Sequence, residues 1–117
     1  MKTNTHHTNT TAFEFVVNKK QVTKKKILKT SILYDKVELS ANQSVDPYKN
    51  ILISNPKTFE LNFMKNAFLN DELIIKNNIK KLNSTELELS VVVMKKSKNY
   101  NDIICKAVFG YHFKKAS

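Results

Sequence analysis

Three stretches in the second half of the chain, residues 71–80, 86–94 and 103–113, alternate apolar and polar side chains. Their apolar faces consist of Leu73, Ile75 and Ile79 in the first, of Leu87, Leu89, Val91 and Val93 in the second, and of every second residue from Ile103 to Phe113 in the third. A period of two is typical of a β-strand that buries one face. Because the connections between the stretches are short and polar, we predict an antiparallel meander in which neighbouring strands pair.

Other segments extend this sheet. Residues 12–17 and 58–64 also alternate, with phenylalanines on the apolar side, and residues 48–53 are predicted to be extended. A sheet with one apolar face must be covered by another element. We therefore expect five or six antiparallel strands, with the rest of the chain as their cover.

The segment that follows Thr23 has a different period. Its apolar residues are Ile27, Leu28, Ile32, Leu33, Val37 and Ala41, which is broadly the spacing of one helical face. We predict a helix of about four turns with Thr23 as the candidate N-cap. It should end near residues 42–44, because Asp46 precedes Pro47 and the residue before a proline disfavours helix.

The same segment allows a second interpretation. β-Branched residues are frequent in it, and these favour strands. Residues 26–33 and 36–40 would then be a pair of strands, and the chain would be an all-β barrel.

The composition indicates one domain. The chain has 117 residues, of which 41% are hydrophobic, which is enough for one core. It contains no apolar run of membrane-spanning length, and it begins without the hydrophobic segment of a signal peptide. Residues 1–11 are expected to be a disordered tail, and residues 12–117 a single cytoplasmic domain. The one cysteine, Cys105, excludes an intramolecular disulfide and is expected to be a buried apolar residue.

The formal charge of +10 results from 20 basic residues, all of them lysines, and 10 acidic residues. Arginine is the residue that forks onto guanine edges and phosphates, so its absence argues against a nucleic-acid partner. Lysine and asparagine are both abundant, as expected of a protein from an AT-rich genome. The other explanation is that the charge attracts an anionic ligand, such as a phosphorylated cofactor or an acidic carrier protein.

Several short motifs resemble one known family. Residues 63–73, 84–89 and 105–111 resemble the entry to the central strand, the strand that follows and the closing strand of hot-dog-fold acyl-CoA thioesterases. Residues 27–41 are similar to their central helix. The resemblance, which covers residues 13–115, implies an α+β hot-dog fold with five or six antiparallel strands wrapped around one helix. It implies an acyl thioester of coenzyme A or acyl carrier protein as substrate, no further cofactor, and a homodimer whose sheets join edge to edge around a ligand tunnel between the protomers.

The resemblance also assigns a catalytic site to Asp35 and Asn18. Asp35 follows an apolar helical run, where the family carries a catalytic carboxylate, and Asn18 lies in the loop after the first strand, where the family carries an asparagine. On the buried side of the helix, Asp35 would act as a general base on water or attack the thioester directly. The alternative is an Asp35 on the surface, paired with a nearby lysine. Glu38, one turn later, is expected to be solvated.

The chain departs from the family where glycines are expected. Lysines and Gln21 stand in place of the Gly-Gly pair that opens the family's helix and lets the backbone approach the thioester carbonyl. Asn70 replaces the glycine before Asp71, and Gly110 is the only glycine in the chain. The fold tolerates these changes, but the oxyanion site depends on the missing glycines. Both hydrolysis and binding without turnover therefore stay open.

Other functions compete with a thioesterase. A dehydratase or hydratase of the same fold needs an active-site histidine, and none lies in or near the helix. A non-catalytic acyl-binding or structural protein is the second competitor, and a small basic β-barrel that binds nucleic acid through exposed Phe59, Phe63 and Tyr111 is the third. No metal site is predicted, because His6 and His7 have no second ligand cluster.

Overall fold

The computed structural model of the protein describes residues 11–53, 55–96 and 102–115. These residues form one α-helix, two short 3-10 helices and five β-strands. In chain order they are β1 (Thr11–Val16), a 3-10 helix (Lys19–Gln21), α1 (Thr30–Val45), a second 3-10 helix (Asp46–Tyr48), β2 (Thr58–Phe63), β3 (Glu72–Leu82), β4 (Glu86–Lys95) and β5 (Ile103–His112). The predicted tail lies outside the described residues, apart from Thr11, which begins β1.

The five described strands form one antiparallel sheet in the order β1-β3-β4-β5-β2. Strands β3, β4 and β5 are the predicted meander, and β1 and β2 are the outermost strands on its two sides. Helix α1 packs against one face of the sheet. The α+β prediction is therefore confirmed, and the all-β barrel is wrong. Within the described ranges, no helix is long and apolar enough to cross a membrane.

The core lies between α1 and the sheet. The helix contributes Leu33, Val37, Ala41 and Val45. The sheet contributes the residues that the alternation predicts to be inward, among them Leu73, Ile75, Leu87, Leu89, Val91, Val93, Ala107, Phe109 and Tyr111. Cys105 is also buried there, as expected. One face of the sheet packs against one face of the helix, and this burial accounts for the alternating pattern in the sequences of the strands.

The helix begins later than its apolar spacing predicts. Thr23 is not its N-cap: the Thr23 hydroxyl accepts the N–H groups of Lys25 (3.2 Å) and Ile27 (3.4 Å) in a tight loop. Lys26 has a φ of 65° there, and the Leu28 N–H donates to the Ala67 carbonyl at 2.8 Å. These bonds take the donors that a helix would need, so α1 starts only at Thr30.

The predicted extended segment at residues 48–53 is also wrong in most of its length. Asp46 and Pro47 start a 3-10 helix instead, because proline suits the first position of a helical turn. Only Leu52 makes an isolated β-bridge, to Phe113. The chain therefore turns around the end of α1 before it reaches β2.

The turn that leads into β3 keeps its shape without a glycine. Asn70 has a φ of 71°, in the left-handed region that asparagine tolerates better than most residues. The Asp71 carboxylate accepts the Phe68 N–H at 2.8 Å and lies 3.3 Å from the Lys95 ammonium group. Asn70 and Asp71 thus shape this turn without a glycine.

Strand β2 forms an open edge of the sheet. It pairs with β5 on one side, and among the described residues no strand pairs with its other side. Phe59 and Phe63 on this strand are 40% and 49% exposed. A free edge with apolar side chains is a surface that natural proteins usually cover.

Candidate active site at the start of the helix

A cavity of about 320 Å³ opens beside the first turn of α1; we call it the α1 cavity. Three parts of the chain form its walls: the start of α1 with the loop before it, the end of β2 with the loop after it, and the start of β5. The lining residues are Leu28, Thr30, Leu33, Phe63, Met64, Lys65, Asn66, Ala67 and Ile104. The four aliphatic residues among them are buried, whereas the rest are exposed. This combination makes a mainly apolar pocket whose exposed rim includes the polar side chains of Thr30, Lys65 and Asn66, typical of sites for small organic groups.

The start of α1 carries free hydrogen-bond donors, and its first residue, Thr30, lines the cavity. The first N–H groups of a helix have no partner within the helix. In the described part of the chain, the N–H groups of Thr30 and Ser31 find no acceptor outside it either, and Lys29 at the N-cap makes no side-chain cap. The helix dipole adds a partial positive charge at this end. The first turn can therefore bind an oxygen that carries negative charge.

The three residues directly before Thr30 offer no comparable donors. The N–H group of Ile27 donates to the Thr23 hydroxyl, that of Leu28 to the Ala67 carbonyl, and that of Lys29 to the Gln21 carbonyl. Among the described residues 27–31, the N–H groups left without an acceptor are therefore those of Thr30 and Ser31.

Asp35 lies on the face of α1 that is turned away from the sheet. Its side chain is exposed, and it does not line the α1 cavity of its own chain. On either side, the Tyr34 ring packs against Phe59 of β2, and the Lys36 ammonium lies 4.8 Å from the Phe15 ring of β1. The prediction that Asp35 is on the buried side of the helix is wrong for a single copy of the chain. Among the described residues Asp35 has no ion-pair partner.

We compared the sequence and the fold with those of known proteins. No family model matches the sequence, and no curated protein is similar to it in sequence. The fold matches a Streptococcus mutans UA159 protein bound to acetyl CoA, over 91% of this chain and 82% of that one, with a TM-score of 0.74 and 14% identity. A hypothetical thioesterase from Streptococcus pneumoniae TIGR4 with coenzyme A matches over 91% and 79%, with a TM-score of 0.75 and 15% identity. The chain has the hot-dog fold. A mutant acyl-CoA hydrolase from Staphylococcus aureus matches this fold over 92% of this chain and 67% of its own, with a TM-score of 0.78 and 10% identity.

In this hot-dog domain Asn18 has a local structural role. Its side-chain oxygen accepts the Lys20 N–H at 3.0 Å, and its own N–H donates to the Gln21 side chain at 3.0 Å. This reciprocal pair caps the short 3-10 helix after β1. Asn18 is exposed, and within the described residues no hydrogen bond joins it to Asp35. A catalytic role for Asn18 stays a prediction.

Glu38 is exposed, as expected, but it interacts with two tyrosines of the hot-dog domain. The Tyr34 hydroxyl donates to Glu38 at 3.1 Å, and this hydrogen bond and the carboxylate charge raise the pKa of Tyr34. Burial, with a smaller contribution from the charge of Glu38, raises the pKa of Tyr111 to about 12. Both tyrosines are therefore neutral at physiological pH.

The remaining candidates lie outside the site. Burial raises the pKa of the Cys105 thiol to about 11, which makes it a poor nucleophile. His112 is exposed on β5, and the described residues hold no cluster of three potential metal ligands. Tyr111 is only 3% exposed, so the three aromatic residues required by the nucleic-acid alternative do not form one exposed stacking surface.

Proposed function

We propose that the chain hydrolyses acyl thioesters, with the thioester bound in the α1 cavity. The observation that carries this proposal is the position of that cavity against the uncapped first turn of α1 in a hot-dog domain. Proteins of similar structure include a hypothetical thioesterase with coenzyme A and a mutant acyl-CoA hydrolase. Attack on a thioester carbonyl makes its oxygen negative, and the N–H groups of Thr30 and Ser31 are suited to stabilise that oxygen.

The proposed substrate is an acyl thioester of coenzyme A or of acyl carrier protein, and water is the only co-reactant. Asp35 takes a proton from water while the water oxygen bonds to the carbonyl carbon. The carbon–sulfur bond then breaks, and the leaving sulfur accepts the proton. The products are a carboxylic acid and a free thiol, so the reaction balances without a cofactor. The cytoplasm, where such thioesters are used, is the proposed compartment.

A second copy of the chain belongs to this proposal. Because Asp35 does not line the cavity of its own chain, its catalytic role requires that it reach the cavity of a partner. The free edge of β2, with Phe59 and Phe63 half exposed, is the proposed contact that joins the two sheets edge to edge. In this homodimer, Asn18 would help to position the water or the carbonyl group.

The test measures thiol release from short- and long-chain acyl-CoAs. We expect Asp35→Asn to lower turnover by about 10²–10⁴-fold, because the amide cannot accept a proton. Asn18→Ala should lower turnover less. Glu88→Gln removes an exposed carboxylate from the outer face of β4 and serves as the matched control, with turnover unchanged. Full turnover in Asp35→Asn would contradict the assignment of the catalytic carboxylate.

The second candidate is an acyl-thioester binder that does not hydrolyse its ligand. It is favoured by one observation: the N–H groups of Ile27, Leu28 and Lys29, in the loop that opens the helix, are all engaged within the chain. Thermal unfolding in the presence of acyl-CoA separates the two candidates. A raised melting temperature without thiol release from any acyl-CoA would favour the binder over the hydrolase.

A further inference from the structure

The segment between β1 and α1 carries a dense positive charge. Six of its residues are exposed lysines: Lys19, Lys20, Lys24, Lys25, Lys26 and Lys29. We call residues 19–29 the lysine loop. No carboxylate occurs in the sequence between Glu14 and Asp35. Five lysines elsewhere form ion pairs, whereas none of these six does so within the described residues. The lysine loop is thus a surface of uncompensated positive charge.

Backbone hydrogen bonds hold the lysine loop in a defined shape beside the cavity. The Lys29 N–H donates to the Gln21 carbonyl at 2.9 Å, which joins the two ends of the loop. The Leu28 N–H donates to the Ala67 carbonyl at 2.8 Å, and both of these residues line the α1 cavity. The charged surface is therefore preformed next to the place where we propose that the thioester binds.

Two kinds of partner would balance this charge: the phosphates of coenzyme A or the carboxylates of an acidic protein. A phosphate site brings donors together in a concavity and usually includes backbone N–H groups. Here the N–H groups of Lys26, Leu28 and Lys29 are used within the chain. Of the described residues that line the α1 cavity, none is one of the six lysines. Exposed lysines along a whole loop are better suited to a broad acidic surface than to one nucleotide.

We propose that the lysine loop docks an acidic carrier protein, which presents its acyl thioester to the α1 cavity. This inference rests on the proposed function, because it decides which of the two thioester carriers the chain serves. Charge attraction would speed the encounter and orient the carrier, and its effect would fall as salt screens the charges.

The test measures binding of an unacylated acyl carrier protein to the full chain, together with turnover of an acyl-CoA. The loop variant combines Lys20→Glu, Lys24→Glu and Lys25→Glu, and a milder variant has glutamine at the same positions. The control variant makes the same change of charge at exposed lysines of the sheet, namely Lys76→Glu, Lys80→Glu and Lys106→Glu. Circular dichroism confirms that each variant is folded.

We expect the loop variant to bind the carrier protein at least about tenfold more weakly, and the control variant to bind within about threefold of wild type. The glutamine variant should fall between wild type and the loop variant. Turnover of acyl-CoA by the loop variant should stay within about threefold of wild type, because its lysines do not line the cavity. Carrier binding that is absent in wild type, unchanged in the loop variant or equally weakened in the control overturns the proposal.

A parallel loss of acyl-CoA turnover in the loop variant also overturns it, because the lysines would then serve the nucleotide. Failure of the proposed function gives a different result, since binding of the unacylated carrier does not depend on turnover. If the carrier binds through the loop but no thioester is hydrolysed, docking is supported and hydrolysis is refuted. If acyl-CoA is hydrolysed and the carrier does not bind, hydrolysis is supported and docking is refuted.

Discussion

The buried side-chain amide of Asn77, on β3, donates hydrogen bonds to the hydroxyl and the carbonyl oxygen of Ser40 on α1. The Ser44 hydroxyl, one turn further along the helix, donates to the Asn77 side-chain oxygen. Asn77 and Ser40 are both completely enclosed by the core. Because buried polar groups are costly unless they are paired, these bonds fix the helix at one position along the sheet.

The first prediction concerns this polar contact. Asn77→Ala should lower the free energy of unfolding by about 1–3 kcal/mol, because it takes a hydrogen-bond partner from the buried Ser40 hydroxyl and from the half-buried Ser44 hydroxyl. Asn78→Ala changes the neighbouring side chain on the opposite face of β3 and should cost less than about 0.5 kcal/mol. Urea denaturation measures both values. Equal losses in the two variants would contradict a specific role for Asn77.

The second prediction tests the free donors at the start of α1. Lys29 has φ −65° and ψ 137°, the conformation that a residue before proline prefers, and proline is well tolerated at the first helical position. Thr30→Pro should therefore fold normally while it removes one N–H group from the cavity. Thr30→Ala keeps that N–H group and removes only side-chain atoms, namely the hydroxyl and the γ-methyl group.

If the N–H group stabilises the thioester oxygen, Thr30→Pro should lower kcat by about 10²-fold. Thr30→Ala should change kcat by less than about threefold. Steady-state kinetics with one acyl-CoA measure both variants, and their melting temperatures report on folding. Two variants with the same kcat would show that the Thr30 N–H group does not bind the carbonyl oxygen.

The third prediction concerns assembly. Wild type should be a dimer by multi-angle light scattering, and Phe59→Glu should shift it to monomer, because a charge on an edge strand opposes pairing with another strand. Ile53→Glu alters a side chain of similar exposure, at 51%, in the segment between α1 and β2, and should leave the dimer intact. A Phe59→Glu variant that is folded and dimeric would exclude the edge of β2 as the interface.

The fourth prediction concerns the buried thiol. Since burial raises the pKa of Cys105 to about 11, only about one thiol in a thousand is ionised at pH 8, and the thiolate is the reactive form. Native protein should therefore react with a thiol reagent far more slowly than protein unfolded in urea. Raising the pH towards 11 should speed the reaction. Rapid labelling of native protein at pH 8 would contradict the burial of Cys105.

The sequence predicts the sheet well, because each strand of the meander has one buried face, and burial of every second residue leaves a readable pattern. Asn77 is the exception, since a polar residue interrupts the inward face of β3 and its partners are distant in sequence. The predicted helix wrongly includes Leu28, also because of contacts between segments that are distant in sequence. Leu28 is buried at helical spacing from Ile32, but it belongs to a loop whose N–H groups bond to other segments.

The candidate site is less accessible to sequence reasoning. Resemblance to a family selects Asp35 and Asn18. The helical spacing alone argues against a buried Asp35, because Asp35 lies two residues from both Leu33 and Val37 and so on the opposite side of the helix. The α1 cavity combines Thr30, Ala67 and Ile104, which only the folded chain brings together. Spacing along the chain carries no information about such a site. Free N–H groups at the start of a helix become predictable only once the first helical residue is known.

The order β1-β3-β4-β5-β2 has a consequence for the timing of folding during synthesis. Strand β1 pairs with β3, and β2 pairs with β5, which comes last in chain order among the described strands. The first half of the chain therefore leaves the ribosome with neither edge strand able to find its partner. Contacts between residues far apart in sequence form slowly, and exposed strands attract other chains while they wait. Until β5 has emerged, the nascent chain exposes apolar strands, and chaperones that shield such strands should bind it.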